Sequence, residues 1–209
     1  MLAGSVIEHI DHAQKAVCLT FDDGPHPVYT PQILQLLKKY KAKATFFLLG
    51  CHVQKYPELV KQIIAEGHEV GNHTWSHADV STLSDEELLE ELEEAEKALW
   101  KAGAVKPTLF RPPYGEYNEQ TLALVHRLLY RMILWTENKD TKDWNSVGAD
   151  QIVRKALTNV EPGNIVLLHD GSEAATCNRE QTVQALAVIL FELQRDGYRC
   201  TTISELLDR

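Results

Sequence analysis

The sequence predicts an α/β fold whose parallel strands close into a barrel, and three observations predict it. Short apolar, β-rich runs alternate with longer stretches of helical period from one end of the chain to the other, the sequence form of repeated strand–helix units. The alternation is close to regular, which favours closure over an open sheet. The polar clusters capable of chemistry nearly all follow a predicted strand, where a parallel barrel gathers its strand-to-helix loops on one rim. At 209 residues, without a linker, a low-complexity stretch or a boundary, residues 1–209 are expected to form one domain.

In chain order, strands are expected over residues 16–21, 44–48, 69–72, 108–111, 131–135, 165–169 and 199–203. Helices are expected between them, over 31–40, 57–66, 85–101, 119–129, 149–157 and 181–195. Several helix ends announce themselves. Ser84 precedes the run that starts at Asp85, with Glu87 at the third helical position, the pattern of a capping box. Gly67, Gly103 and Gly197 follow helical runs where a left-handed cap is wanted. The helix over 85–101 is acidic on its outer face, the mark of a solvated surface.

With 44% hydrophobic and 24% charged residues, 11 Gly and 8 Pro, the composition is that of a soluble globular protein. The net charge is −9 and the basic residues are dispersed, so no Lys/Arg stripe exists to follow a phosphate backbone and nucleic acid is not an expected partner. No run of 18 apolar residues is present, so no transmembrane segment is expected. Residues 1–10 lack the pattern of a secretion signal, which leaves a cytoplasmic location open. Cys18, Cys51, Cys177 and Cys200 show no paired short spacing, and Cys18 and Cys200, in strand-like runs, are expected as buried reduced thiols.

His73-Thr74-Trp75-Ser76-His77 sets two imidazoles four residues apart. On a helix that offset is about 400°, and both rings would face one way. Two histidines need a third ligand before they make a site, and Asp22-Asp23-Gly24-Pro25, closing an apolar strand, can supply it. Asp-Gly-Pro is also good turn chemistry, but a turn does not explain a second acid, since adjacent carboxylates beside an apolar strand need a cation or donors to compensate them. One carboxylate and two imidazoles suit a borderline divalent ion with positions left for water and substrate, which is the set-up for hydrolysis. Arg111, in Arg111-Pro112-Pro113-Tyr114-Gly115, could hold the non-ligating Asp oriented as an ionised base; a surface salt bridge is the competing explanation. The apolar run over 165–168 ends in His169, which a carboxylate partner would keep protonated as a general acid. Asp140-Thr141-Lys142-Asp143-Trp144 offers that carboxylate, with an indole to wall an apolar pocket.

Taken together, these segments resemble the polysaccharide deacetylases of the NodB-homology group, carbohydrate esterase family four. The resemblance runs in order from Thr20 through His73–His77, Arg111–Gly115 and Asp140–Trp144 to Leu167-Leu168-His169, and extends to Ala44-Thr45-Phe46-Phe47 and to residues 181–206. It implies a distorted (β/α) barrel of seven or eight parallel strands and a metal-dependent hydrolase that removes acetyl groups from N-acetylglucosamine-containing polysaccharide such as chitin oligomers or peptidoglycan. By position, Asp23, His73 and His77 would bind one divalent metal ion, commonly zinc, with cobalt or nickel as substitutes. Asp22 would be the base, oriented by Arg111, and His169 the acid, tuned by Asp143. The Tyr114 amide would stabilise the oxyanion, and Trp144 and Leu167 would line the acetyl pocket. The resemblance also implies an acetylated polysaccharide as the partner, an extracellular or cell-envelope location and a monomer. One departure stands out: Thr136-Glu137-Asn138-Lys139 separates Trp135 from Asp140, where the family usually has about two residues, so the Asp143 and Trp144 roles rest on a shifted loop.

Three rival readings differ in chemistry. An acetyl-xylan esterase would use the same machinery on an ester. A silent carbohydrate-binding relative would keep the fold and lose a base, an acid or a ligand, all of which are present here. A non-haem iron oxygenase shares the His-His-carboxylate triad but needs neither a second adjacent Asp nor a distant general acid.

Overall fold

A computed structural model describes residues 6–174 and 176–208; residues 1–5, part of the stretch read for a leader, lie outside the described residues. The strands are β1 (Ala16–Gly24), β2 (Ala44–Leu48), β3 (Glu69–Asn72), β4 (Leu109–Phe110), β5 (Arg131–Met132), β6 (Ile165–His169) and β7 (Arg199–Cys200). They form one sheet in the order β5-β4-β3-β2-β1-β6, with β7 paired to the start of β1, and every pairing is parallel. The helices are α1 (Tyr29–Lys39), α2 (Gly50–Lys55), α3 (Pro57–Ala65), α4 (Asp85–Lys101), α5 (Glu119–Arg127), α6 (Ala149–Leu157), α7 (Glu180–Arg195) and α8 (Ile203–Leu207). Among the described residues, no helix is long and apolar enough to cross a membrane.

The sheet curls into a distorted barrel. Between its edges, β5 and β6, the gap is bridged piecemeal: Ile7 pairs with Ile133, Asp140 with Leu167, and Thr136 N–H donates to Ile165 O. Because side chains alternate along a strand, β1 feeds two layers. Val17, Leu19 and Phe21 pack outward with Ile33, Leu34 and Ile189 of the surrounding helices. Ala16 and Cys18 point the other way and pack with Phe47, Ile133, Ile165 and Ile203. Thr20 and Asp22 continue that second series, so the strand's own period carries a carboxylate to the inner rim. All four cysteines are free, with Cys18 and Cys200 buried, as expected from the sequence.

The capping box at Ser84 and Glu87 is formed, and Gly67, Gly103 and Gly197 each take φ between 77° and 91° just past their helices. Other expectations need correcting. The first strand does not stop at Phe21 but runs through Asp22 and Asp23 to Gly24. The strands expected over 108–111 and 131–135 pair over only two residues each. Pro112 and Pro113, which have no N–H to give a ladder, end the first, and Leu134 N–H bonds instead to Ile7 O. The strand expected over 199–203 ends at Cys200, where Thr202 accepts from Glu205 N–H and starts α8. That helix and α2 were not anticipated. Thr202-x-x-Glu205 is a capping signal that could have revealed α8; the six residues of α2 carry none.

Phe46 is fully buried with its ring stacked on Phe21 at 5.1 Å between centroids. Phe46→Ala is expected to cost about 3–5 kcal/mol, and Thr202→Ala, which loses only a cap, about 0.5–2 kcal/mol. Denaturant unfolding checks both, and equal losses would contradict this account of α8.

Candidate active site

The two acids that end β1 reach the same site because the strand is irregular there. Asp22 pairs with Phe47 of β2 and with His169 of β6, but the register slips between Asp22 and Gly24, and Asp23 sits at φ 70°. A bulge of this kind re-aims a side chain, so neighbouring residues that would alternate both line one groove. Gly24 follows for a packing reason as much as a turn: a Cβ there would lie 2.4 Å from both carboxylate oxygens of the buried Asp170. Burial, with Asp23 and Asp22 nearby, raises the Asp170 carboxyl to about 7 against the opposing bond from Thr30 Oγ1.

Residues 73–77 are not helical, so the helical offset is not what aligns the imidazoles. They form a strained loop in which Thr74 and His77 take φ of 70° and 66°. The side chains nonetheless converge. His73 Nδ1 donates to Arg111 O at 2.7 Å, which fixes the tautomer and leaves Nε2 as the free lone pair. That Nε2 lies 3.4 Å from Asp23 Oδ1, and His77 Nε2 lies 3.2 Å from the same oxygen. The ligand-type atoms of Asp23, His73 and His77 all fall within 4.8 Å of one another, and all three residues are buried. Asp23 Oδ1 has no hydrogen-bond partner although it is buried. An orphaned anionic oxygen flanked by two imidazole nitrogens is a poor arrangement without a cation and a good one with it, so these residues fit a divalent metal ion. Burial pushes the Asp23 carboxyl up, but its contacts with His73 and His77 and the nearby His169 hold it well below the ordinary carboxylate range.

Asp22 stands beside this cluster, its Oδ2 at 3.9 Å from His73 Nε2 and its Oδ1 at 2.7 Å from Arg111 Nη1. Arg111 is wholly buried, which excludes the surface salt bridge. Its Nη1 also donates to Thr20 Oγ1 at 2.8 Å, its Nη2 to Leu134 O at 2.8 Å and its Nε to Ile133 O at 3.3 Å. Its guanidinium carbon lies 4.2 Å from the centre of the Phe47 ring. Every face of the arginine is used, so Asp22 has one orientation.

On β6, His169 Nδ1 meets Asp143 Oδ1 at 2.7 Å, and the His169 N–H donates to Asp143 Oδ2 at 2.9 Å. Thr182 Oγ1 donates to the same carboxylate at 2.8 Å, and Gln181 Nε2 donates to the Asp143 carbonyl at 2.7 Å. Burial alone would lower the imidazole pKa; the Asp143 carboxylate, with Asp23 and Asp22 beyond it, raises it from 6.5 to about 9. The Asp143 carboxyl, pushed up by burial, is carried below its ordinary value by His169 and Thr182. In the link after Trp135, the buried Lys139 ammonium donates to Thr158 O at 2.6 Å at the end of α6.

The groove over these residues has a volume of about 710 Å³, and Tyr114, Trp144 and Leu167 line it together with Asp22, Asp23 and His169. Arg111 and Asp143 lie behind its wall, fully buried. Tyr114 also takes a left-handed backbone, φ 62°, and its ring meets His77 edge-on at 4.5 Å. Left-handed backbone at a non-glycine residue is costly, and its concentration at Asp23, Thr74, His77 and Tyr114 is typical of functional sites. The structure therefore brings together every site residue expected from the sequence. It adds Thr20, Thr182 and Gln181 as their supports and Trp135 as a further wall. Thr20 lies in the Thr20–Pro25 motif, whereas Gln181 and Thr182 carry no local signal.

A parallel barrel whose rim presents an Asp-His-His cluster between a buried Asp–Arg pair and a buried His–Asp pair has the equipment of a hydrolase. Residues 9–133 match the polysaccharide deacetylase family, and the chain belongs to that family. It is 45% identical over 204 residues to a peptidoglycan-N-acetylglucosamine deacetylase of Bacillus cereus, covering 98% of this chain and 93% of the relative. It is 38% identical over 200 residues to a chitooligosaccharide deacetylase of a Bradyrhizobium species, covering 92% and 90%. The crystal structure of the Bc1960 peptidoglycan N-acetylglucosamine deacetylase, in complex with 4-naphthalen-1-yl-N-oxidanyl-benzamide, superposes with a TM-score of 0.90 at 34% identity, covering 97% of this chain and 92% of that one.

Two measurements test the geometry. Removing one member of a buried ion pair strands the other, so Arg111→Met is expected to lose about 3–5 kcal/mol, and adding Asp22→Asn should restore part of it; additive losses in urea unfolding would show the pair is not coupled. In the metal-free protein, imidazole NMR should find His169 still protonated at neutral pH, titrating near 9, and falling in Asp143→Asn. Since its pKa is raised on folding, the stability it contributes is whole below 6.5 and is lost as pH climbs through about 9. A wild-type His169 titrating at 6.5 or lower would contradict the assigned pairing.

Proposed function

We propose that the protein hydrolyses acetyl groups from N-acetylglucosamine-containing polysaccharide, peptidoglycan or chitin oligomers, with zinc held by Asp23, His73 and His77. The observation that carries this reading is the placement of two oppositely partnered groups beside the Asp-His-His cluster: Asp22 locked by Arg111 and His169 protonated against Asp143. A divalent cation bound there supplies Lewis acidity, lowering the pKa of water and polarising a carbonyl oxygen.

The chain's own residues supply the rest. Asp22 accepts a proton from the water that attacks the acetyl carbonyl carbon. The Tyr114 N–H donates to the oxygen that becomes negative in the tetrahedral intermediate, while Leu167 and Trp144 enclose the methyl group. As the C–N bond breaks, His169 gives its proton to the departing nitrogen, and acetate and a free amine leave. His169 pairs across the sheet with Asp22, so acceptor and donor come from adjacent strands. A cell-envelope or extracellular setting follows from the cell-wall substrate.

Acetate release from the zinc-loaded protein, measured on peptidoglycan fragments, chitin oligomers and acetylated xylan, is expected on the first two. Asp22→Asn and His169→Ala should each lose at least about 10²-fold in kcat while retaining zinc, and chelation should abolish activity until zinc is restored. A fully active Asp22→Asn enzyme would remove the base assignment; release from xylan alone would replace the amide reading with the ester one.

A further inference from the structure

The loop that carries His73 and His77 is irregular backbone, yet it is gripped from both sides. On one side the first amides of α2 donate into it, Gly50 N–H to Thr74 O at 2.9 Å and Cys51 N–H to Trp75 O at 3.2 Å. The approach is close enough that a Cβ on Gly50 would lie 2.6 Å from the Trp75 ring and from the Ala95 backbone. On the other side stands Glu91, in the middle of α4. Its Oε2 accepts from Trp75 N–H and Ser76 N–H, both at 2.8 Å, and its Oε1 accepts from Ser76 Oγ–H at 2.7 Å. One carboxylate thus takes three donors from two of the three residues between the imidazoles.

We propose that Glu91 is the positioning residue of the metal centre: it holds the 73–77 loop in the strained conformation that aims His77 at Asp23. This inference rests on reading Asp23, His73 and His77 as metal ligands. Thr74 and His77 occupy left-handed backbone, a conformation that persists only where surrounding contacts over-determine it. The bond from His77 N–H to Thr74 Oγ1, 3.0 Å, lies within the loop and moves with it. His73 is tied at the start of the loop, its N–H to Leu48 O and its Nδ1 to Arg111 O; beyond it the anchors from outside include the α2 amides, the Asn72 side chain that accepts from Thr74 N–H and Glu91. Of these, Glu91 alone meets the loop at Trp75 and Ser76 as an acceptor, on the side leading to His77. Charge-assisted bonds of this length are the strong class. Supports of this kind behind a ligand set metal affinity without touching the metal. Glu90 and Glu94 of the same helix border the same shallow groove beside Trp75, and Glu90 is exposed, which makes Glu90→Gln the control for helix charge.

The experiment measures zinc affinity by competition with a chromophoric chelator, alongside the thermal midpoint of the metal-free protein. Glu91→Ala is expected to bind zinc about 10–100-fold more weakly. Glu91→Gln, whose amide oxygen still accepts from both backbone amides, should recover most of the affinity, and Glu90→Gln should match wild type. Should Glu91→Ala fail to fold, Ser76→Ala, which removes one of the three bonds, is expected to weaken zinc binding by less than Glu91→Ala would. Wild-type affinity in Glu91→Ala, or in Ser76→Ala where that variant stands in, overturns the inference. So does a lowered thermal midpoint with unchanged affinity, or an equal loss in Glu90→Gln. A wild-type protein that binds no divalent ion would instead overturn the metal reading itself.

Discussion

An anionic oxygen that accepts no hydrogen bond, buried at the end of an apolar strand, is the constraint around which the rest of the molecule is arranged. Asp23 Oδ1 is shielded from water and accepts no hydrogen bond, a placement that costs several kcal/mol unless a cation compensates. The surroundings accept that cost and several smaller ones. Asp23 bulges out of β1 in left-handed backbone, the 73–77 loop is strained, and Gly24 yields its side-chain space to Asp170. Such concessions are affordable because β1 is the most enclosed strand of the sheet, buried along its whole length and paired with β2, β6 and β7.

Two acid–base pairs flank that oxygen, and their environments set them apart. Asp22 is held by a guanidinium that can never give up its proton, with Thr20, the Ile133 and Leu134 carbonyls and the Phe47 ring closing every other side of Arg111. His169 is held by a carboxylate that shares its bonds with Thr182 and the His169 amide. That carboxylate drives His169 toward its protonated state. Here the difference comes from what lies behind each group, one wall cationic and the other anionic, on adjacent strands of one sheet.

How much of this was legible in the sequence follows from the range of the interactions. The alternation of strand and helix, the Ser84 capping box and the left-handed glycines are local, and they were readable from Glu87 or Gly67 without knowledge of the fold. The site residues were readable because each lies in a short motif of unusual chemistry, such as adjacent acids or paired histidines. What escaped was set by tertiary contact. The loop over 73–77 is not the helix its spacing suits, because α2 and Glu91 hold it in another shape. β4 and β5 shrink to two residues because Pro112 has no N–H to continue β4 and the Ile7 segment takes over the pairing at Leu134. Gln181 and Thr182 reach Asp143 from the start of α7, and no local pattern encodes a contact over 38 or 39 residues.

The division of labour between Asp143 and the other acids follows from charge. In the metal-free state, Asp143, Asp23 and Asp22 all favour the imidazolium of His169 against the effect of its burial. A divalent cation held by Asp23, His73 and His77 would reverse that acid's contribution, since the pair would then carry net positive charge, and would oppose the contribution of Asp22 as well. The proton on His169 would then depend on Asp143, which is in direct contact with Nδ1, wholly buried and unable to turn away because Thr182 and the His169 amide share its second oxygen. An imidazolium beside a bound cation would need a partner of this kind, close to the imidazole and behind the groove wall rather than in the groove. The fold draws the 140–144 segment against β6 through the Asp140–Leu167 bridge, which makes closure of the barrel and the His169–Asp143 contact parts of the same structural solution.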